Sequence, residues 1–145
     1  MSLSFDELDV GRRITTPTRT VTEADVTNFA GVSGDFNPLH TSETVAAESA
    51  FGERVAHGAL VFSMMTGLAR RSGDRRADVV AFYGVDRLRF TAPVEFGDTI
   101  RVEMELVEKD ERDHPTASGV VRYETEVLNQ RDETVLSCEL LSLVK

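Results

Sequence analysis

Residues 57–71 have the sequence HGALVFSMMTGLARR. From Gly58 onward, apolar side chains cover nearly the whole circumference of a helix, which is typical of a helix buried on every side. Arg70 and Arg71 in the last turn, followed by Gly73, are helix stop signals, so we predict a buried helix from about Gly58 to Arg71. The start of this helix has no Ser or Asp cap, so its first amides need partners from the protein or from a ligand. Gly58 has no side chain and is therefore a candidate donor to an oxygen that gains negative charge during a reaction.

Upstream of this helix, residues 31–40 have the sequence GVSGDFNPLH, which brings together a carboxylate (Asp35), an amide (Asn37) and an imidazole (His40). Gly34 permits a sharp turn and Pro38 interrupts any continuous helix, so we predict a compact irregular loop on which Asp35 and His40 converge. A carboxylate and an imidazole that converge can hold and deprotonate a water molecule. The alternative is a solvated turn in which Asp35 and Asn37 cap backbone groups.

The remaining pattern predicts helices first and antiparallel strands afterwards, which is an α+β domain. We predict a short strand over residues 14–20, a helix that begins at the capping box Thr22–Asp25, a second short helix over 42–50, and strands over 79–88, 99–108, 120–128 and 134–144. In the second helix Val45, Ala46 and Ala50 are expected to face inward. The apolar run that opens strand 79–88 predicts a place near the middle of the sheet. At 145 residues without a low-complexity linker, residues 1–145 are expected to form one domain.

Composition limits the classes of partner. The net charge of −9 argues against nucleic acid or an anionic membrane surface. No apolar run is long enough to span a membrane, and the N-terminal residues lack the features of a signal peptide. The single cysteine, Cys138, fits a cytoplasmic location and is expected to be a small buried hydrophobe. The histidines His40, His57 and His114 do not have metal-ligand spacing, so we predict no metal site.

The segment Gly34–His40, followed after sixteen residues by His57-Gly58, resembles the signature of the MaoC-like dehydratase family, and within it the (R)-specific enoyl-CoA hydratases. Residues 87–94 and 97–99 resemble the same family's central strand and turn. This resemblance implies a single hot-dog domain, in which an antiparallel β-sheet wraps around a long buried central helix. It also implies pairing of chains into a homodimer or a dimer of dimers, with no cofactor.

The activity implied by the resemblance is the reversible hydration of a trans-2-enoyl-CoA to the (R)-3-hydroxyacyl-CoA. Asp35 and His40 would hold and activate the water, and the Gly58 N–H would polarise the thioester carbonyl. Which member of the pair is the base stays open, because the two can titrate as a unit. Asn37 would orient the loop or the water, or serve only as a turn residue. His57 is expected to bind backbone groups rather than to act as an acid or base.

Substrate binding adds further candidates. Thr66 stands where the (R)-hydratase pattern often has a serine close to the catalytic site, so it is a candidate substrate-binding residue. Because CoA carries phosphates and the chain is acidic, an acyl-CoA substrate needs a locally basic region. The middle of the chain supplies arginines for it: Arg54, Arg70, Arg71, Arg75, Arg76, Arg87 and Arg89. Solvated helix ends and faces explain any single one of them equally well.

Other functions stay open. One is a dehydratase of the same family that acts on acyl-carrier-protein or branched dicarboxylyl-CoA substrates. Another is a hot-dog acyl-CoA thioesterase, which would attack the carbonyl carbon rather than C3. The Asp-x-Asn-Pro-x-His loop favours hydration over hydrolysis. The last is a non-catalytic acyl-CoA-binding or partner-subunit module, against which the intact Asp35–His40 pair argues.

Overall fold

A computed structural model describes residues 2–73 and 76–145 of the chain. In order, its elements are β1 (Arg13–Thr15), β2 (Arg19–Thr20), α1 (Glu23–Ser33), α2 (Pro38–Thr41), α3 (Glu43–Ala47), α4 (Gly58–Arg70), β3 (Val79–Phe90), β4 (Thr99–Glu111), β5 (Gly119–Leu128) and β6 (Thr134–Val144). The predicted α+β class is confirmed. Within the described ranges, no helix has the length and apolar character needed to cross a membrane. Arg75, one of the arginines predicted to form a basic region, lies outside the described residues.

The strands form one antiparallel sheet in the order β1-β4-β5-β6-β3, with β2 paired to β4 beside β1. The four predicted long strands are all present, and β6 has the predicted bounds. The single strand predicted over residues 14–20 is wrong, because β1 and β2 are separate pieces. Between them Pro17 has no N–H to donate to a ladder, while Thr16 bonds to Val102 through its own amide.

Strand β3 lies at an edge of the sheet, so its predicted central position is wrong. Three members of its apolar run, Val80, Phe82 and Tyr83, are 37%, 51% and 59% exposed in the single chain. A continuous apolar run indicates that both faces of a strand are covered. The run does not show whether the residues that cover the strand belong to the same chain or to another copy.

Helix α4 packs one face against the sheet. Its buried residues are Leu60, Val61, Met64, Met65 and Leu68. They join a core built from inward-facing residues of β4, β5 and β6, including Ile100, Val102, Leu106, Val121 and Leu136. The opposite face of α4 carries the small residues Ala59, Ser63 and Gly67, which are exposed. The predicted burial on every side is therefore wrong for a single chain.

The region before α4 consists of three shorter helices. The predicted capping box is confirmed: Thr22 and Asp25 exchange hydrogen bonds at the start of α1. Helix α1 continues through residue 33, and α2 begins at Pro38, so the predicted irregular loop is shorter than expected. In α3 Ala46 is buried, but Val45 and Ala50 are exposed, contrary to the prediction.

Cys138 is buried on the inner face of β6, with its thiol 3.9 Å from the Met65 sulfur. Burial raises the pKa of the Cys138 thiol to about 11. The prediction of a small buried hydrophobe is therefore confirmed, since few thiolates form at neutral pH.

Candidate active site

The N-terminus of α4 presents backbone amides that the helix itself cannot satisfy. His57 is the residue before the first turn, and its side chain makes no capping hydrogen bond. The amides of Leu60 and Val61 both donate to the His57 carbonyl, at 3.0 and 3.2 Å. Across residues 2–73 and 76–145, the Gly58 N–H donates to no protein acceptor. It is thus available, at the positive end of the helix dipole, to an oxygen of a ligand.

The Phe90 ring lies directly against Gly58, so a larger residue at position 58 would displace the ring. A Cβ atom there would lie 2.9 Å from Cε1 of Phe90, which is too close for two carbon atoms. Gly58 and Phe90 line a cavity of about 480 Å³, together with His40, Ala59 and Phe51. The helix amide and the imidazole of the predicted pair therefore face the same cavity.

The loop that carries Asp35 is held by short-range hydrogen bonds. Helix α1 ends at Gly34, which has φ 75°, a left-handed conformation that glycine adopts readily. The Asp35 carboxylate accepts a hydrogen bond from the backbone N–H of Asn37 at 3.1 Å. The Asn37 side-chain oxygen accepts from the Leu39 amide at 3.0 Å and so caps α2. Asn37 therefore has the turn-forming geometry that was one of its two predicted roles.

His40 lies on α2, and its ring is fixed by a backbone carbonyl. Its Nδ1 atom is 2.6 Å from the Val55 oxygen. A carbonyl oxygen can only accept, so Nδ1 must carry the proton and donate it. The neutral ring then has a lone pair at Nε2, which is the arrangement that a general base requires.

His57 has the opposite tautomer. Its Nε2 atom is 2.9 Å from the backbone oxygen of Asp35, so Nε2 carries the proton. The ring is 2% exposed and packs edge-on against Phe29, with ring centroids 5.0 Å apart. Its Nδ1 atom is buried without a hydrogen-bond partner among the described residues. The Asp35 contact is the backbone-binding arrangement expected for His57, which links the start of α4 to the Asp35 loop.

These contacts bring Asp35, His40 and His57 together. Ligand-type atoms of the three side chains all lie within 4.8 Å of one another, and the two imidazole rings stack with centroids 3.8 Å apart. Their spacing in the sequence did not reveal this cluster. One carboxylate and two imidazoles are metal-ligand types, and the planes of the two rings differ by 29°. The expectation that no metal resides here stays a prediction.

Comparison with known proteins identifies the family. Residues 7–128 match the family model described as MaoC like domain. The chain belongs to the MaoC-like dehydratase family.

Relatives of this MaoC-like domain include proteins with assigned activities. Protein MaoC of Klebsiella aerogenes is 48% identical over 100 residues, which are 69% of this chain and 29% of that protein. A 3-hydroxybutyryl-CoA dehydratase of Methylorubrum extorquens is 36% identical over 106 residues, 73% of this chain and 65% of the relative. An (R)-specific enoyl-CoA hydratase of Aeromonas caviae is 34% identical over 124 residues, 86% of this chain and 89% of the relative. This chain thus spans less than a third of protein MaoC and slightly under two thirds of the dehydratase.

Solved structures confirm the hot-dog fold. A monoamine oxidase regulatory protein from Archaeoglobus has a TM-score of 0.91 at 39% identity, covering 99% of this chain and 95% of that one. A Mycobacterium tuberculosis protein with a double hot-dog fold has a TM-score of 0.85 and covers 99% of this chain and 44% of that one. Its identity is 20%, so this second likeness shows the fold alone.

Thr66 lies apart from the cavity that His40 and Gly58 share. Its hydroxyl donates to the Ser63 carbonyl at 2.7 Å, and the residue lines a second cavity of about 530 Å³ between α4 and the sheet. The two cavities follow one another along α4, since Ala59 lines the first and Ser63, one turn later, lines the second. Thr66 can therefore contact a substrate only if that substrate extends along the helix.

The predicted basic region of this MaoC-like domain is not one site. Arg54 pairs with Glu23 and Glu43, and the Arg87 guanidinium pairs with Glu139. Arg70 and Arg76 are different, because both line the second cavity. The Val55 carbonyl and the Phe90 ring were missed by sequence reasoning. A carbonyl has no sequence signal, and Phe90 lies within the family-like strand pattern of residues 87–94 without a feature that singles it out.

Proposed function

We propose that this MaoC-like domain is an (R)-specific enoyl-CoA hydratase, which adds water reversibly to a trans-2-enoyl-CoA and gives the (R)-3-hydroxyacyl-CoA. The observation that supports it best is the meeting of Asp35 and His40 close to the Gly58 amide, which has no acceptor among the described residues. The names of the Aeromonas and Methylorubrum relatives agree with this reaction, since hydratase and dehydratase describe its two directions.

In the proposed mechanism the Asp35 carboxylate and the His40 Nε2 lone pair hold one water molecule. His40 Nε2 removes a proton from the water as its oxygen bonds to C3 of the substrate. The C2=C3 electron pair moves toward the thioester, and negative charge develops on the carbonyl oxygen. The Asp35–His40 pair then returns one proton to C2, so the product gains one water in total.

The developing oxyanion needs a donor that is already in place. The Gly58 N–H meets this need, because it has no competing acceptor in the described part of the chain and lies at the N-terminus of a 13-residue helix. Asn37 and His57 would act by positioning: the first caps α2, which carries His40, and the second holds the Asp35 carbonyl. Loss of one oxyanion donor in an enzyme typically costs about 100-fold or more in rate.

The proposal is tested by following the loss of enoyl-thioester absorbance when the purified protein meets crotonyl-CoA. Asp35→Asn and His40→Ala are each expected to lower the rate by about 100-fold or more, because each removes one of the two groups that activate the water. His114→Ala is the matched control, since His114 is exposed and its ring accepts a hydrogen bond from the Thr116 amide in a loop between β4 and β5.

Two outcomes would overturn the proposal. One is a folded wild-type protein that leaves crotonyl-CoA and longer enoyl-CoA thioesters unchanged. The other is release of free thiol without formation of a hydroxyacyl product, which would indicate a thioesterase. An acyl-carrier-protein thioester that reacts faster than its CoA counterpart would keep the chemistry and change the carrier.

We also propose that two copies of the chain pair, as a homodimer or a dimer of dimers. Strand β3 is an open edge with exposed apolar side chains, which is a surface that proteins normally cover. Phe36 and Phe51, near the Asp35 loop and the first cavity, are 61% and 46% exposed. Substrate would therefore enter along a subunit boundary. A solution mass equal to that of one chain, measured by light scattering, would contradict the pairing.

A cytoplasmic location stays a prediction from the sequence.

A further inference from the structure

The second cavity has an apolar body. It lies between α4 and the inner face of the sheet, and four strands contribute Ile14, Met104, Tyr123 and Leu140 to it. Helix α4 contributes Phe62 and Thr66. The hydroxyls of Ser63, Thr66 and Ser72 also line it, but each already donates to a backbone carbonyl of α4. A polar chain would therefore find few free donors there to replace its contacts with water. A hydrocarbon chain would be stabilised by the same walls.

One end of this cavity is basic. Arg70, in the last turn of α4, and Arg76 both line it, and both also line an adjoining cavity that contains Asp78. Arg76 donates from Nη1 to the Arg70 carbonyl, which holds its guanidinium at the end of α4. Within residues 2–73 and 76–145, no ion pair joins Asp78 to either arginine.

Arg70 and Arg76 have no carboxylate partner among the described residues, and Arg71 and Arg89 have none either. Most other arginines in the described ranges form ion pairs: Arg13, Arg19, Arg54, Arg87, Arg101, Arg112, Arg122 and Arg131. The protein has a net charge of −9, so carboxylates are in excess over basic residues. Two guanidinium groups that line one cavity and pair with no described carboxylate therefore favour an anion supplied from outside the chain.

The basic end of the cavity lies at the opposite end of α4 from Gly58, where the proposed reaction takes place. Gly58 and Arg70 are the two ends of α4, so they are separated by about 18 Å at about 1.5 Å per residue. A thioester with its carbonyl on the Gly58 amide can direct its acyl chain along α4, past Thr66, toward Arg70. From this geometry we propose that the domain accepts acyl chains that end in an anionic group such as a carboxylate, which Arg70 and Arg76 bind.

This inference rests on the proposed function, because it places the thioester carbonyl at Gly58. The pantetheine arm of CoA is a less suitable occupant of the cavity, since its amides would find few free hydrogen-bond donors among these walls. The CoA phosphates are nevertheless a second possible source of the anion, so the test must separate them from the acyl terminus.

The test measures binding by calorimetry, independently of turnover. The probes are saturated medium-chain thioesters of N-acetylcysteamine, which carry no phosphate, with either a methyl group or a carboxylate at the far end of the acyl chain. Wild-type protein is expected to bind the carboxylate-ended probe more tightly. Arg70→Met should weaken that binding about fivefold to tenfold and leave the methyl-ended probe unchanged. Arg71→Met is the matched control, because Arg71 is exposed and does not line the cavity.

Each result has one meaning. Equal binding of the two probes to wild-type protein, or an equal effect of Arg70→Met and Arg71→Met, overturns the inference. If Arg70→Met weakens binding only of CoA thioesters, whatever the end of the acyl chain, the arginines bind the CoA phosphates and the inference is wrong. If carboxylate-ended probes bind in an Arg70-dependent manner but no enoyl thioester is hydrated, the binding of an anionic acyl end is supported and the proposed function fails.

Discussion

Replacing Gly58 by alanine separates stability from activity. The new methyl group would lie 2.9 Å from Cε1 of Phe90 and 3.0 Å from its Cζ, so the ring must move. It can move, because Phe90 is 54% exposed. Alanine stabilises a protein over glycine by about 0.4–1 kcal/mol through the unfolded chain, whereas an off-rotamer ring costs about 0.5–1.5 kcal/mol. Since these effects oppose each other, we predict a free energy of unfolding within about 1 kcal/mol of wild type.

The catalytic rate should change far more than the stability. The methyl group and the displaced ring both enter the cavity that Gly58 shares with His40. A thioester carbonyl displaced by about 1 Å from the Gly58 amide would cost about 100-fold in rate. We therefore expect kcat for crotonyl-CoA hydration to fall about 100-fold, with urea unfolding of the same sample as the measure of stability.

A double variant identifies the cause of the loss. In Gly58→Ala/Phe90→Ala the ring no longer competes with the methyl group for space, and Phe90→Ala alone is the reference. Recovery to the rate of the reference would assign the loss to the ring, and no recovery would assign it to the methyl group. A folded Gly58→Ala protein that hydrates crotonyl-CoA at the wild-type rate would refute the reasoning that a side chain at position 58 moves the thioester carbonyl away from the amide, which alanine itself keeps.

Two further predictions concern stability. Arg122 pairs with three carboxylates, including Glu139, which is only 5% exposed; Arg122→Met should lower the free energy of unfolding by about 2–3 kcal/mol because Glu139 then keeps a buried charge with fewer partners. A urea titration checks this, and a loss below about 0.5 kcal/mol would contradict it. Burial, and then the neighbouring Glu53 carboxylate, raise the pKa of Glu95 above its ordinary value of 4.5. A raised carboxyl pKa disfavours the ionised form in the folded state, so this group's contribution to stability falls as the pH rises above 4.5. Glu95→Gln should therefore be more stable than wild type at neutral pH and should lose this advantage below pH 4.5; an advantage that is the same at both pH values would exclude the explanation.

The hydrophobic pattern predicted which helices and strands exist better than it predicted which of their faces are buried within a single chain. The buried face of α4 and the alternating strand β4 follow directly from side-chain spacing, and both were predicted. The exposed face of α4 and the edge position of β3 were not. An apolar surface in a sequence indicates only that something covers it. The pattern is the same whether the cover is the same chain or another copy.

The candidate site, like the fold, has features that the sequence predicted and features that it did not. The convergence of Asp35 and His40 was predicted from their separation and from the turn-forming residues between them. The contacts that fix the two imidazoles could not be predicted, because both acceptors are backbone carbonyls, of Val55 and of Asp35. Every residue has a carbonyl, so only the fold determines which one meets a ring.

These contacts also decide how variants of the site should be interpreted. Asp35 contributes its backbone carbonyl to His57 and its carboxylate to the Asn37 amide. Asn at position 35 keeps the carbonyl and one side-chain oxygen that can accept from Asn37, so Asp35→Asn removes the charge and leaves the loop its hydrogen bonds. His40→Ala, in contrast, removes the ring that donates to Val55 and stacks on His57. A loss of activity in Asp35→Asn therefore reports on the chemistry of water activation, whereas the same loss in His40→Ala combines chemistry with the positioning of the site.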